Sequence, residues 1–408
     1  MVEPLQQGPK AGRHWPAEAT AYEDPETGAT VHRLTDYPGS DNRHLYFTED
    51  GRYDDGRRLL FRGVRHGDHE LFSVHLDSHL VTQLTDLSDE VHGVTTSPAA
   101  DEAYFWCGDR LVGLALDGLD AWTVYERGGE YADYDSGKPG VTADGETVCF
   151  QLVERAVERP SFSGNRASDG DDEDADEDRG SWMARMHDAD PHSLVLAVPA
   201  EGGEAEVLHE EQTWLGHVNT SPTRADRLTY CHEGPWDEVD ERIWALNLDT
   251  GEQWKVRETD ADEAVGHEFW LADGERVGYH GWRGDRDDAA AFFGVVDHEG
   301  GDPDEFDAPD AYTHFHANDT GLVVCDGTYR GIESLLVWAE RDGEMRGPRK
   351  LATHDWSGDD DAHPHARVGP NDETVVFDST MNGDGSDVYL VDVPDFDDLP
   401  ELGDYTLS

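Results

Sequence analysis

Residues 266–280 read Gly-His-Glu-Phe-Trp-Leu-Ala-Asp-Gly-Glu-Arg-Val-Gly-Tyr-His. An apolar segment, Phe269 to Leu271, runs into an Asp-Gly turn, and a second apolar segment, Val277 to Tyr279, follows at once. This is two short strands about a turn. A third strand follows and closes on Val-Asp at 296–297. The same phrase recurs at intervals of roughly 45–50 residues. Its turns fall at Asp50-Gly51, Ser97-Pro98, Asp144-Gly145, Ser221-Pro222, Asp273-Gly274, Asp319–Gly321 and Pro370–Asp372. Seven short-stranded repeats of this period predict an all-β fold, a seven-bladed β-propeller holding residues 1–408 as a single domain. The strand Thr30–Thr35 has no blade of its own. It is expected to pair with the C-terminal blade and close the ring, which removes the free sheet edges.

Just before the turn, at one fixed phase of the repeat, histidines recur: His44, His92, His217, His267, His314 with His316, and His363 with His365. Residues of equal phase in a propeller face one end of the central channel, so these side chains are predicted to converge on one site.

Composition sets the outer bounds. The chain has 408 residues, 36% of them apolar, with 12 Trp, 14 Tyr and 13 Phe, enough large side chains for a core of packed sheets. Acidic residues number 91 against 31 basic ones, a net charge of −60. Such a surface repels nucleic acid and anionic membrane. It suits concentrated salt, where screening removes self-repulsion, and so speaks of habitat more than of mechanism. Cys107, Cys149, Cys231 and Cys325 have no CxxC spacing, and most lie in apolar strand patterns, as expected of small buried hydrophobes. Neither a signal-like apolar segment at Met1 to Trp15 nor any run of 18 apolar residues occurs, which predicts a cytoplasmic protein. The third and fourth turns stand much further apart than one repeat, and the excess contains Ser168–Arg179, SDGDDEDADEDR. Residues 163–182 therefore read as an acidic, flexible insertion, beside which Phe162 and Trp182 are candidates for a lid.

Three motifs carry chemistry. In His363-Pro364-His365, residues i and i+2 of an extended strand point to one side, so two imidazoles can grip one ion while Pro364 stiffens the backbone. Alone, the motif reads equally as two surface histidines in a polar loop; His314, arriving at equal phase from the preceding repeat, favours a metal site. Imidazole donors suit a divalent first-row metal, and added oxygen ligands shift the preference toward Mn or Fe. In Cys231-His232-Glu233-Gly234-Pro235-Trp236 the Gly-Pro pair forces a turn at a strand end, which is either structural or a means of aiming His232 and Glu233 at a ligand. In His267-Glu268-Phe269-Trp270 the aromatic pair anchors a strand and leaves His267 at the channel mouth. The motif is not HExxH, and no G-x-S-x-G, Walker or Rossmann sequence occurs.

With these motifs the chain resembles the oligogalacturonate lyases, seven-bladed lyases of pectin fragments. The likeness begins at Tyr22-Glu23-Asp24-Pro25-Glu26-Thr27-Gly28 and Arg33-Leu34-Thr35 and runs through Trp214-Leu215-Gly216-His217 to CHEGP at 231–235. It continues over Asp240-Glu241-Arg242-Ile243-Trp244, HEFW at 267–270, HPH at 363–365, Pro370-Asn371-Asp372 and Asp392-Val393-Pro394. The resemblance implies a Mn2+ site of three histidines and one glutamine. The histidines correspond to His314, His363 and His365, and the glutamine position is Asp360 here, a departure that offers a harder, anionic oxygen. It also implies His267 as the catalytic histidine and Arg242 as the active-site arginine. His217 and His232 are then expected to contact a small oligouronide substrate.

The chemistry fits these parts. β-Elimination at a uronate starts with loss of the weakly acidic C5 proton beside the carboxylate. A divalent cation on that carboxylate spreads the developing charge, a neutral imidazole is a fitting base near pH 7, and an arginine can hold a carboxylate or stabilise the enolate. Two alternatives remain at this point. One is a non-catalytic propeller of the TolB type, which shares the turn grammar and needs no converging histidines. The other is a lyase or isomerase acting on a different uronate.

Overall fold

The computed structural model describes residues 3–65, 67, 69–158, 173–284, 290–308, 313–327, 333–355, 363–383 and 385–402. Its strands form seven antiparallel sheets of four or five strands, each built around a run of chain-consecutive strands. In chain order the first strands of the blades are Arg52–Tyr53, Val91–Thr96, Gly140–Val141, Leu215–Thr220, Glu263–Trp270, Phe315–Ala317 and Arg367–Val368. The first strands of blades two to five touch in succession, as do those of blades six and seven, which marks the first strands as the inner ring. The seventh blade is completed by Thr30–Arg33, which pairs with Asp387–Asp392 in the register Val31 to Val391, as the orphan strand predicted. Thr20–Glu23 extends the same sheet by a fifth strand. Unforeseen are two further N-terminal strands. Glu3–Leu5 lies on the outer edge of blade two and His14–Trp15 on that of blade one. The chain start thus covers outer edges of three blades, groups that would otherwise offer unpaired N–H and C=O to another chain.

The two kinds of turn latch neighbouring blades. In blade five, Asp273 Oδ1 accepts from the backbone N–H groups of Glu275 and Arg276, and Gly274 takes φ +67°. From blade four, Ser221 Oγ donates to the Gly274 carbonyl at 2.8 Å. A Cβ on Gly274 would stand 2.1 Å from Thr223 Oγ1, so this turn needs glycine for its dihedral and for its contact alike. Between blades the core is apolar and aromatic; Phe269, Phe293, Phe315 and Trp338 form one cluster with Phe47. All four cysteines are buried and unpaired, as small hydrophobes should be.

The insertion departs from expectation in part. Residues 159–172, Phe162 among them, lie outside the described residues. Glu173–Asp188, however, is an α-helix, so 173–182 is no loop. Beyond the acidic run, Trp182 and Met186 stand one helical turn apart. Trp182 meets Trp214 edge-on at 5.3 Å and Met186 is buried. Tertiary docking of this kind stabilises a helix whose own sequence is unpromising. No helix among the described residues is long and apolar enough to cross a membrane.

The closing strand gives a test. Val31 is fully buried in the seventh-blade core, whereas Ala21, one strand further out, is exposed. Val31→Asp should cost about 3 kcal/mol or more in urea unfolding, because it buries an unpaired charge. Ala21→Asp should leave the transition unchanged.

Candidate functional site

Four successive blades deliver histidines to one cluster. His217 lies in the first strand of blade four and His267 in that of blade five, while His314 and His365 stand just ahead of the first strands of blades six and seven. A β-bulge interrupts the inner strand of blade four between Gly216 and Asn219, and that of blade five between Gly266 and Phe269. The residues at these bulges, His217 and His267, have φ +49° and +50°, and His365 has φ +47°. A bulge bends the strand and re-aims one side chain, here toward the neighbouring blades' histidines. Few non-glycine residues enter this left-handed region, and histidine is among those that do.

His314, His363 and His365 bring one ring nitrogen each to within 4.8 Å of one another. Their ring centroids are 4.7 to 5.5 Å apart. The donor set fits a first-row divalent cation, and a residue that the sequence reading passed over organises it. Asp326, fully buried, accepts from His314 Nδ1 at 2.8 Å, from the His314 backbone N–H at 2.9 Å and from the His365 backbone N–H at 3.2 Å. The Thr313 hydroxyl donates to it as well. Burial would raise the Asp326 carboxyl, but His314 and these donors hold it at about 2. The carboxylate therefore fixes the Nδ1–H tautomer of His314 and frees Nε2 as a donor atom, a common arrangement behind metal-bound histidine. His44 stiffens the other side: its Nε2 donates to the Pro364 carbonyl at 3.1 Å, and its backbone N–H donates to Asp378. Burial takes the His44 imidazole down to about 4, so it serves as a neutral strut. Asp360 lies outside the described residues.

His267 stacks on His314 at 4.3 Å. Its Nδ1 lies 2.5 Å from the Thr313 carbonyl and 3.0 Å from His280 Nε2. A carbonyl only accepts, so Nδ1 carries the proton and Nε2 keeps a lone pair. Burial first, then His314, His280, His217 and Arg242, push this imidazole well below its usual range. Two features of a general base are thus present: a neutral ring and a free basic nitrogen.

Arg242 is almost fully buried. Its Nη2 is 3.0 Å from Glu233 Oε1 and its Nε 3.9 Å from Glu268 Oε2. Trp236 lies against the guanidinium at 5.2 Å and stacks on Trp282. Gly266 permits this closeness, since a Cβ there would come within 2.6 Å of the Trp236 ring. His217 sits between the same two carboxylates, with Nε2 3.3 Å from Glu233 and Nδ1 3.3 Å from Glu268. Burial alone would depress His217, but Glu268 and then Glu233 more than reverse this and raise it. His217, Cys231 and Glu233 also bring donor atoms within 4.8 Å. Arg242 already pairs with that carboxylate, however, and burial keeps the thiol protonated, so the trio is an ion-paired wall.

His232 is not brought to the cluster. Its ring stacks on Trp244 at 5.1 Å, and Nε2 is 3.3 Å from Glu211 of blade three. Successive strand residues face opposite ways, so Cys231 and Glu233 turn inward and His232 turns to the neighbouring blade. His92 faces Arg62, Glu90 and Arg127, and His316 meets Arg367 and the Val368 backbone. Tyr46 was missed: its ring lies 4.9 Å from His365, 6.0 Å from His314 and 6.4 Å from His217. His44 at the same phase was the signal for this segment.

The chain is similar to several known proteins. The family model described as oligogalacturonate lyase matches residues 10–334. The oligogalacturonide lyase of Pectobacterium atrosepticum is 26% identical over 409 residues, covering 94% of this chain and 98% of its own. The oligogalacturonate lyase of Dickeya dadantii is 26% identical over 399 residues, with 92% and 96% covered. A solved structure of an oligogalacturonate lyase in complex with manganese superposes with a TM-score of 0.80 at 27% identity, covering 94% of this chain and 98% of that one.

Asp326 provides the test of the metal centre. Asp326→Asn keeps the shape but removes the charge that orients His314. Affinity for Mn2+ in chelator competition should fall roughly 10–100-fold, with the thermal transition still cooperative. Unchanged affinity would show that His314 is no ligand.

Proposed function

The chain belongs to the oligogalacturonate lyase family, and on that premise we propose that it is a metal-dependent lyase of short oligogalacturonides, chiefly digalacturonate. The reaction is β-elimination, releasing a shortened uronate and a 4,5-unsaturated uronate, which opens to the 5-keto-4-deoxyuronate. The observation that carries this reading is the neutral His267 stacked 4.3 Å from His314, itself one of three clustered imidazoles.

His314, His363 and His365 would hold the cation, with Asp360 as the fourth ligand where the family has glutamine. The manganese complex of the structural relative supports Mn2+. Bound there, the cation supplies a Lewis acid that spreads charge from the substrate carboxylate as C5 loses its proton. The protein's own part begins at His267. Its Nε2 takes the C5 proton, while the Thr313 carbonyl holds Nδ1–H and so keeps the basic nitrogen turned to the substrate. As the C4–O bond breaks, its electron pair leaves with the oxygen, which takes a proton from water, and the C5–H pair becomes the C4=C5 bond. Arg242 contributes a fixed positive charge whose guanidinium Glu233 and Trp236 hold in place, which favours the developing enolate electrostatically. His217, about a quarter exposed, lines the cleft. The strongly acidic composition and soluble-type fold fit a cytoplasmic enzyme working in concentrated salt.

Chelated protein given digalacturonate should show the ultraviolet absorbance of an unsaturated uronate only after Mn2+ is added. His267→Ala should lower kcat roughly 10²–10⁴-fold with metal occupancy near the parental level by elemental analysis. A change confined to KM would move the base elsewhere. His363→Ala should lose most of the metal while remaining folded, and equal metal content would remove the three-histidine site.

A further inference from the structure

Four ionisable side chains close a ring of alternating sign beside the proposed base. Glu233 faces Arg242 Nη2 at 3.0 Å and His217 Nε2 at 3.3 Å. Glu268 faces His217 Nδ1 at 3.3 Å and Arg242 Nε at 3.9 Å. Glu268 is completely buried, and neither of its oxygens accepts a hydrogen bond among the described residues. Its desolvation can therefore be offset only by the two cations. With both nitrogens of His217 turned to carboxylates, the ring gains most when both carry protons. Two anions and two cations then sum to zero.

We propose that Glu268 is a positioning residue that keeps His217 as an imidazolium, so that the Glu233–His217–Glu268–Arg242 ring stays uncharged overall beneath an anionic substrate. This assigns His217 a role other than hydrogen-bonding the sugar, since both its nitrogens face protein carboxylates at 3.3 Å. It also separates the two stacked imidazoles, 6.4 Å apart and 2° from parallel. His217 is the charged ring and His267 the neutral one, and different surroundings dividing like groups in this way assign them different tasks. The remaining titratable groups that face His217 do not alter the count: burial keeps both the Tyr46 hydroxyl and the Cys231 thiol protonated. Loss of the His217 proton leaves the ring with one net negative charge, which repels a uronate carboxylate and leaves Glu268 bridged by Arg242 alone.

The sign of the stability linkage follows. A raised histidine contributes stability that is present below its unfolded value and lost as pH rises through its folded value. His217 is raised by Glu268 and Glu233 against burial. The enzyme should therefore lose stability, and KM for digalacturonate should rise about fivefold or more for the added charge, over a window above the usual histidine range.

The inference rests on the lyase reading only for its substrate readout. In the full-length enzyme, Glu268→Gln should move the His217 titration, followed by NMR of labelled histidine without substrate, downward by roughly one unit or more. The inflection of KM against pH should move with it. Glu268→Asp should restore both toward the parent, and His217→Gln should abolish the inflection. A lower melting temperature for Glu268→Gln with the His217 titration unmoved would overturn the proposal, leaving Glu268 a packing residue. A shifted titration without digalacturonate turnover in the parent would uphold the ring and refute the substrate.

Discussion

The contact on which the cleft depends is the seam where Thr30–Arg33 lies against Asp387–Asp392. Blade seven carries His363 and His365 but supplies only three of its own strands. Across the seam, the segment that follows the closing strand brings His44 under the Pro364 carbonyl and Tyr46 against His365. The His363-Pro364-His365 loop is thus gripped by residues more than three hundred positions away in sequence, and those residues are in place only when the ring is shut. Parting this seam would remove the outer half of blade seven and the strut beneath its histidines together. Fold integrity and site assembly are here one equilibrium.

Within the closed ring the electrostatics are local. The surface is heavily acidic, yet near the histidines each buried carboxylate has named cationic or N–H partners. Asp326 has two backbone N–H groups, a hydroxyl and His314. Glu233 has Arg242 and His217. Such pairs are costly to bury and more costly to break singly, which makes them better at fixing geometry than at adding stability. The His267 and His365 imidazoles sit beside these pairs and owe their low basicity chiefly to burial. Mutual repulsion, had the rings been charged, is the second reason they are not.

Much of this was legible in the sequence, because a propeller writes its period into the turns. The seven turn signals, the orphan strand at Thr30–Thr35 and the equal phase of His217, His267, His314 and His365 all needed only spacing. The rest depended on three dimensions. Asp326 follows Cys325 at the end of an ordinary apolar strand and gains meaning only when its carboxylate is seen under His314. Glu233 and Glu268 stood inside motifs already singled out, but spacing could not show that they share two cations. The facing of His232 toward Glu211 and Trp244 follows from its alternation with Cys231 and Glu233. The helix Glu173–Asp188 was hidden by the charge density ahead of Trp182, whose aromatic partner Trp214 lies on another blade.

The left-handed backbone at His217, His267 and His365 bears on how such a site can change over evolutionary time. Asparagine, aspartate, histidine and glycine tolerate that conformation; β-branched residues do not. A lineage drifting toward another chemistry could not sample Val, Ile or Thr at these positions without also straightening the bulge and turning the next side chain out of the cleft. The accessible alternatives are mostly groups that bind metals or carry protons. The backbone thus acts as a filter on innovation, holding the channel mouth to metal and proton chemistry even where the substrate changes.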